Sequence, residues 1–358
     1  GCLSETHIMK ISVELSSLQA SLDIITRLAP PTSGNVTITS DGKKVQLISS
    51  ADTSRCVTTV PCSVDRAGEY AVPLAALRDA TKGRGELTLT FKNAVLSVSS
   101  VRYSASLVTV DVIPLDEYEA EEGQVWKLLP EQSNWLRKAL RDVALKPTLI
   151  LSSWMPVGIK LTAKGGFVTC YDMQHMSWVS EKAVSGEFEC VLPLDTITNV
   201  IDLFHKTVFS IRHCTSRIEI KNKLTQVYLN IPSLEDLPSL SDVQSKIKSA
   251  SAEKGKTFVI PREALTAFLE NARAVMTKER AEIRIEGADK GIKVEIKTGQ
   301  GNVNAQFKGE GKGSFKIDYE YLSEALTKTT EDLTLVAVDN AYVSAKFPST
   351  SMIIALNQ

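Results

Sequence analysis

No apolar run among these 358 residues approaches the about 20 that a membrane-crossing helix needs. The first eight residues, Gly1 to Ile8, lack a basic segment followed by an apolar core, so they do not read as a secretory signal. They read as an expression remnant or a short extension ahead of Met9. No CxxC occurs among Cys2, Cys56, Cys62, Cys170, Cys190 and Cys214, and most of these sit in strand-like runs, where a free thiol acts as a small apolar residue. His7, His175, His205 and His213 contain no pair at zinc-ligand spacing, so no metal or cofactor is expected. A reducing cytoplasm is the simplest setting. There is no GxxxxGK[ST] phosphate loop; Gly83-Arg-Gly85 and Gly309 to Gly313 read as turns. Positive charge is not in excess either. With 41 basic and 42 acidic residues the net charge is −1, which argues against a grip on nucleic acid by bulk electrostatics. Cations gathered on one surface remain compatible with that balance. Aromatic residues are only 6% and no zinc-finger or basic-zipper spacing is present, so base readout has little support.

What the sequence has is internal repetition. Three segments begin alike: Gly68-Glu-Tyr-Ala-Val-Pro-Leu, Gly186-Glu-Phe-Glu-Cys-Val-Leu-Pro-Leu and Gly313-Ser-Phe-Lys-Ile-Asp-Tyr. Each opens Gly-x-aromatic, continues as a short strand and enters a helix pattern, at about Pro73 to Lys82, Pro193 to Lys206 and Asp318 to Lys328. Two alternating strands follow in each copy, as in Glu86-Leu-Thr-Leu-Thr-Phe and Ala94-Val-Leu-Ser-Val. A second triplet lies upstream. Met9-Lys-Ile-Ser-Val, Gln124-Val-Trp-Lys-Leu and Lys256-Thr-Phe-Val-Ile precede helices predicted over Leu15 to Ala29, Pro130 to Leu145 and Pro261 to Thr277. Leu15, Leu18, Leu22 and Ile25 recur at helical spacing in the first of these. Pro130 and Pro261 suit a first helical turn, where the missing N–H is harmless. Strands such as Asn35-Val-Thr-Ile-Thr, Pro147-Thr-Leu-Ile-Leu and Glu282-Ile-Arg-Ile-Glu come next. Each third thus holds two strand–helix–strands units, with domains expected at 9–116, 117–236 and 237–358. The stretch Ser239 to Gly255 is rich in Ser, Lys and Glu and reads as a mobile linker.

This layout resembles the beta sliding clamp of bacterial DNA polymerase III, over Met9 to Gln358. Local matches support it. Ser100-Val-Arg-Tyr-Ser-Ala-Ser-Leu resembles the family's Ser-Arg-Phe-Ser-Leu segment, and Thr169-Cys-Tyr-Asp-Met-Gln-His-Met its Thr-Asp-Gly-His-Arg-Leu stretch. Asn271-Ala-Arg-Ala-Val-Met-Thr-Lys-Glu-Arg resembles its Arg-Ala-x-Ile-Leu-Ser-Asn-Glu run. Met173 and Gln174 stand where Gly and His are usual, and Met352-Ile-Ile-Ala-Leu-Asn-Gln358 replaces the usual ending. These departures point to a divergent member, of host or phage.

The resemblance implies an α+β fold of three repeated clamp domains, with helices lining a ring and antiparallel sheets outside. It implies a non-enzymatic processivity factor, a head-to-tail homodimer that encircles double-stranded DNA without sequence preference. Its partners would be a DNA polymerase and a clamp-loader ATPase, in the cytoplasm at the nucleoid. Closing a ring also removes sheet edges. Arg137, Lys138 and Arg141 form a cationic ridge opposite Leu136, Ala139, Leu140 and Val143. Further DNA-contact candidates are Lys10, Arg27, Arg78, Lys82, Arg84, Lys146, Lys206, Arg273, Lys278 and Lys328. Neighbouring acids make the excess modest, which suits sliding on few, water-mediated phosphate contacts. A partner-peptide pocket is expected from Pro156, Tyr171, Met173, Gln174, His175, Met176, Pro238, Val243, Ile354, Ala355 and Leu356. Its apolar, Met-containing wall suits several partner peptides. The dimer contact is expected from Tyr103, Ala105 and Leu107 of one chain against Val275 and Met276 of the other. Two other readings stay open: a repeat scaffold that does not encircle DNA, and an enzyme using the Asp202/His205 pair, which is more often incidental on a surface helix.

Overall fold

The computed structural model describes residues 8–147 and 154–356. The chain divides into two compact units. Unit 1 runs through Asn134 and adds Thr196–Ser233; unit 2 combines Trp135–Asp195 with the chain from Leu234 onward.

Unit 1 carries two antiparallel sheets. The five-stranded one runs in the order Cys62–Val64, Met9–Glu14, Glu86–Lys92, Val95–Ser99, Ser104–Val108. The eight-stranded one runs Gln124–Leu128, Phe209–His213, Arg217–Lys221, Thr225–Asn230, Ser54–Val60, Val45–Ser50, Asn35–Asp41, Ala67–Pro73. Strict alternation builds these sheets: in Asn35–Asp41, Val36, Ile38 and Ser40 turn inward and the residues between do not. At the seam between repeats, Thr225 pairs with Thr58 and their hydroxyls share a buried hydrogen bond of 2.8 Å. Helix α1 (Leu15–Leu28) buries Leu15, Leu18, Leu22 and Ile25, the predicted stripe. Helix α2 (Leu74–Ala80) buries Leu74 and Leu77. The division between the units falls within α3 (Pro130–Val143) and α4 (Leu194–Phe204).

Unit 2 repeats the plan. Its eight-stranded sheet runs Lys256–Ile260, Leu333–Val338, Tyr342–Lys346, Ser351–Ala355, His175–Glu181, Gly165–Tyr171, Pro156–Thr162, Phe188–Pro193. Strand for strand this is the order of the first eight-stranded sheet, so the repeat read from the glycine–aromatic openings is a repeat of topology. A four-stranded sheet completes the unit, in the order Gly301–Phe307, Gly291–Thr298, Glu282–Ala288, Gly313–Asp318. Its exposed face carries a charge ladder, with Arg284 opposite Glu295 and Glu286 opposite Lys293. Helix α5 is Leu240–Ala252, α6 is Arg262–Ala272 and α7 is Tyr319–Thr327. Burial pushes the thiols of Cys56 and Cys170 up to about 12, so both remain neutral and pack as apolar residues.

Two expectations need correction, the linker and the bounds of α6. Ser239 to Gly255 is not a loose linker, because Leu240, Val243 and Ile247 at i, i+3 and i+7 form one buried stripe. The Ser239 side chain caps that helix by accepting the Asp242 N–H at 3.1 Å. Pro261 is the N-cap of α6, not its first turn, and α6 gives way to a tighter turn at Arg273–Val275 short of Thr277. The strand expected from Pro147 falls at 148–151, outside the described residues.

Candidate nucleic-acid and partner surfaces

The cationic ridge has the predicted exposure. Arg137, Lys138 and Arg141 of α3 are exposed, while Leu136, Ala139, Leu140 and Val143 are buried. A 3.6-residue period forces this split, since residues three and four apart share a face. The other cations are placed less uniformly. In unit 1, Arg27 Nη2 reaches Asn199 Oδ1 at 2.7 Å and Asp202 Oδ2 at 3.3 Å. Arg78 meets Asp23 at 3.4 Å, and Lys82 meets Asp79 at 3.0 Å. Such exposed pairs exchange readily with water and salt, so each stabilises by only about 0–1 kcal/mol. They reduce local charge without fixing it. Arg84 and Lys206 are exposed just after α2 and α4. Lys10 lies on a strand, and its backbone N–H donates to Asp65 Oδ1 at 3.0 Å. In unit 2, Arg273, Lys278 and Lys146 are exposed.

Lys328 is different in kind. Its Nζ donates to the carbonyls of Asp142 at 2.7 Å and Ala144 at 2.8 Å, at the C-terminal end of α3. These are carbonyls that a helix leaves unpaired, and a cation there is favoured by the helix dipole. Burial lowers the lysine's pKa, with nearby acids acting against that. Its charge is engaged by the fold.

The residues expected to form a partner pocket separate into two groups. Tyr171, Met176 and Val243 meet in one apolar cluster with Ile247 and Ile353, bordered by Phe167, Trp178, Val191, Ala250 and Tyr342. The strand register explains why Ile353 rather than Ile354 joins: Met176 pairs with Ile353 and so shares its face, whereas Ile354 pairs with His175. Alternation counted backward from Met176 could have found it. The Tyr171 hydroxyl donates to the Pro238 carbonyl at 3.2 Å, and burial pushes its pKa to about 12. Met173 is exposed at the tip of the turn between Gly165–Tyr171 and His175–Glu181. Pro156, Ile354 and Leu356 are buried and Ala355 is exposed; none of these four belongs to the cluster.

Gln174 and His175 belong to a polar network instead. Asp172 Oδ1 accepts the backbone N–H groups of Gln174 at 2.7 Å and His175 at 2.8 Å, and His175 Nδ1 lies 2.9 Å away. This is a side chain folding its own turn. His175 Nε2 lies 3.2 Å from Glu324 Oε2 of α7, as an ion pair without hydrogen-bond alignment. The imidazole stacks on Tyr321, with ring centres 4.1 Å apart. Gln174 Oε1 accepts from Tyr321 Oη at 2.7 Å and Arg280 Nη1 at 2.8 Å, and Arg280 Nε donates to Asp318 Oδ2 at 3.0 Å. Only the sequence position of Gln174, in place of the usual histidine, hinted at an altered role.

Burial opposes the His175 charge, but Asp172 and Glu324 outweigh it and raise the pKa. Burial likewise opposes the Asp172 charge, and His175 with the two backbone N–H groups outweighs it and lowers that pKa. The histidine's contribution to stability is full below its unfolded value of about 6.5 and is lost as pH rises through the raised folded value. The aspartate's is full above about 3.9 and is lost as pH falls through its depressed folded value. The network is therefore tightest between roughly pH 4 and 6.5. The unfolding midpoint is expected to fall as pH climbs above that window. His175→Gln should flatten this alkaline slope; an unchanged slope in thermal melts of the variant would contradict it.

Unit 1 offers a contrasting surface. The segment after Val110 runs along one face of its eight-stranded sheet without regular structure. Tyr118 stacks on Tyr228 at 4.8 Å, and the guanidinium groups of Arg55 and Arg217 lie 5.3 and 5.2 Å from the Tyr118 ring centre. Arg55 Nη1 donates to the Asp116 carbonyl at 2.5 Å, and Arg217 donates to that of Glu119. Beside this segment lies a groove of about 510 Å³, lined by Thr37, Ile48 and Ser50 of the sheet and by Ile113, Pro114 and Asp116 of the segment.

Two sheet edges are also notable. Among the described residues, Ser104–Val108 pairs only with Val95–Ser99, and Gly301–Phe307 only with Gly291–Thr298. Neither strand contains a charged residue or a proline, the usual devices against edge pairing. Ala105 and Leu107 lie on the first of these strands, half-buried. Tyr103 donates its hydroxyl to the Ala80 carbonyl at 2.8 Å. Val275 is buried and its carbonyl accepts Thr298 Oγ1 at 2.5 Å, with Met276 half-buried beside it.

Against solved structures the likeness spans nearly the whole chain. The DNA polymerase III beta subunit of Thermotoga maritima matches with a TM-score of 0.74 at 15% identity, covering 98% of this chain and 99% of that one. The chain has the sliding-clamp fold. The beta subunit of Pseudomonas aeruginosa matches at 0.71 and 14% identity, covering 98% of this chain and 100% of that one. The sliding clamp of Bartonella birtlesii, bound to griselimycin, matches at 0.72 and 13% identity with the same coverage. No family model and no curated protein matches the sequence. Among the described residues, no helix is long and apolar enough to cross a membrane.

Proposed function

We propose that this chain is a DNA sliding clamp: a processivity factor that closes around duplex DNA as a head-to-tail homodimer and tethers a replicative polymerase. The observation that carries the reading is the clamp fold over 98% of the chain at full length of the solved clamps. The domains are 9–116, 117–236 and 237–358. The two uncharged edges support dimerisation, since Ser104–Val108 of one chain pairing with Gly301–Phe307 of the other joins a five-stranded to a four-stranded sheet. The exposed ridge Arg137, Lys138 and Arg141 supports sequence-blind contact with phosphates. Retention by topology needs no large net charge, and the protein's is −1. The protein acts without catalysis, in the cytoplasm, and is placed on DNA by a loader ATPase.

The apolar face of Tyr171, Met176 and Ile353 is the proposed partner groove. Partner peptides there order on binding and bind modestly, on the order of micromolar. In primer extension with the polymerase and loader of its own source, the chain should lengthen the products of a single binding event. Met176→Ala should remove roughly 1–3 kcal/mol of polymerase binding without dissociating the dimer. Product length indifferent to the chain would contradict the clamp reading. The scaffold alternative draws on the pairing of Arg27, Arg78 and Lys82 with acids, which reduces what these three cations offer a phosphate.

A further inference from the structure

Helix α5 lies on the face just assigned to partners. Its Val243 and Ile247 pack with Tyr171, Met176 and Ile353. At its start, a Cβ on Gly158 would lie 2.4 Å from Leu240 Cδ1, so the sheet approaches the helix at a position kept bare. At its end, the Tyr342 hydroxyl meets Glu253 Oε2 at 3.1 Å.

The repeat gives an internal comparison. In unit 2 the ladder Tyr171–Met176–Ile353 runs across three neighbouring strands. Its counterpart in unit 1 is Ser50–Arg55–Tyr228, at the same steps of the same strand order. There the connecting segment stays extended, Tyr118 covers Tyr228, and an open groove remains beside it. The fold does not require a helix at this place.

α5 is also weakly held. Of its thirteen residues three are buried, Leu240, Val243 and Ile247, with Ala250 half-buried beside them. Ser241, Ser245, Ser249 and Ser251 are poor helix formers, and a helix this short is marginal in water without its packing. We propose that α5 is a resident, displaceable occupant of the partner groove, so that a partner peptide gains access by competing with this chain's own helix. The proposal rests on the reading of that face as the partner groove.

The probe is a fluorescent peptide with the sequence of residues 239–253, titrated against the full chain. In the native protein α5 is tethered, and its effective concentration excludes the free peptide. Val243→Ser with Ile247→Ser weakens the resident, and the peptide should then bind at least tenfold more tightly. Adding Met176→Asp should abolish that gain. Hydrogen exchange on the native chain supplies a second readout, with α5 amides exchanging much faster than those of Gly165–Tyr171 and His175–Glu181. Equal peptide binding by native and double-variant chains would overturn the proposal, as would α5 amides as protected as those two strands. The probe is this chain's own segment, so these results do not depend on any polymerase. Failure of the partner-groove reading would show separately, as polymerase binding indifferent to Met176→Ala.

Discussion

Ser106→Pro is expected to convert the proposed dimer to monomer while leaving each chain folded. The Ser100 N–H donates to the Tyr103 carbonyl at 2.9 Å and the Thr109 N–H to that of Ala94 at 3.0 Å. Bonded pairs alternate along an antiparallel ladder, so in this register Val98/Ala105 and Leu96/Leu107 are the bonded pairs. The N–H groups of Ser104, Ser106 and Val108 therefore point off the sheet edge. Proline at 106 deletes one outward donor and spares the inner ladder, which edge strands tolerate. A lost hydrogen bond with an unsatisfied partner costs about 1–3 kcal/mol, and opening a two-chain ring breaks two such contacts. The dimer dissociation constant should rise about 100-fold or more, since 1.4 kcal/mol is tenfold. Ser106→Thr keeps the donor and should remain dimeric. Sedimentation showing Ser106→Pro as dimeric as the native chain would remove this edge from the interface. It is a better test than a charge at Val275, whose burial and bond to Thr298 would confound dissociation with misfolding.

The second large effect is expected from Arg137→Glu, Lys138→Glu and Arg141→Glu together. All three side chains are exposed and the apolar face of α3 is untouched, so the melting temperature should hardly move. Each phosphate contact contributes about 0.9 to the slope of log affinity against log salt. Up to three contacts per chain should disappear, and the slope should flatten by up to about 3 per chain. Binding at low salt should fall by roughly 100-fold or more, equally for any sequence, because phosphate contacts position without specifying. A variant that binds DNA with native affinity and slope would place the contacts elsewhere.

Much of the fold was legible because sheets and amphipathic helices write periodic patterns. Val36 and Ile38 announce their strand, and Leu15, Leu18, Leu22 and Ile25 their helix, without reference to anything distant. The glycine–aromatic openings located the repeats because each stands where a strand leads into α2, α4 or α7. Helix α5 was hidden because its serines resemble linker composition, and three apolar residues in thirteen make a faint stripe. The site was legible only in part. The exposure of Arg137, Lys138 and Arg141 follows from spacing alone. The pairing of Arg27 with Asp202, the capping of α3 by Lys328 and the approach of Glu324 to His175 join residues far apart in sequence. No local pattern encodes such pairs, because each depends on how separate strands and helices come to lie side by side.

The central claim is that this chain holds DNA by enclosing it. Its most direct test is to load the chain on a nicked circular duplex, isolate the complex at about 150 mM salt, where exposed charges more than roughly 8 Å apart are largely screened, and then cut the circle once. The account predicts stable retention on the intact circle and rapid loss after the cut, as rings run off the new ends. Equal retention before and after cutting would contradict it.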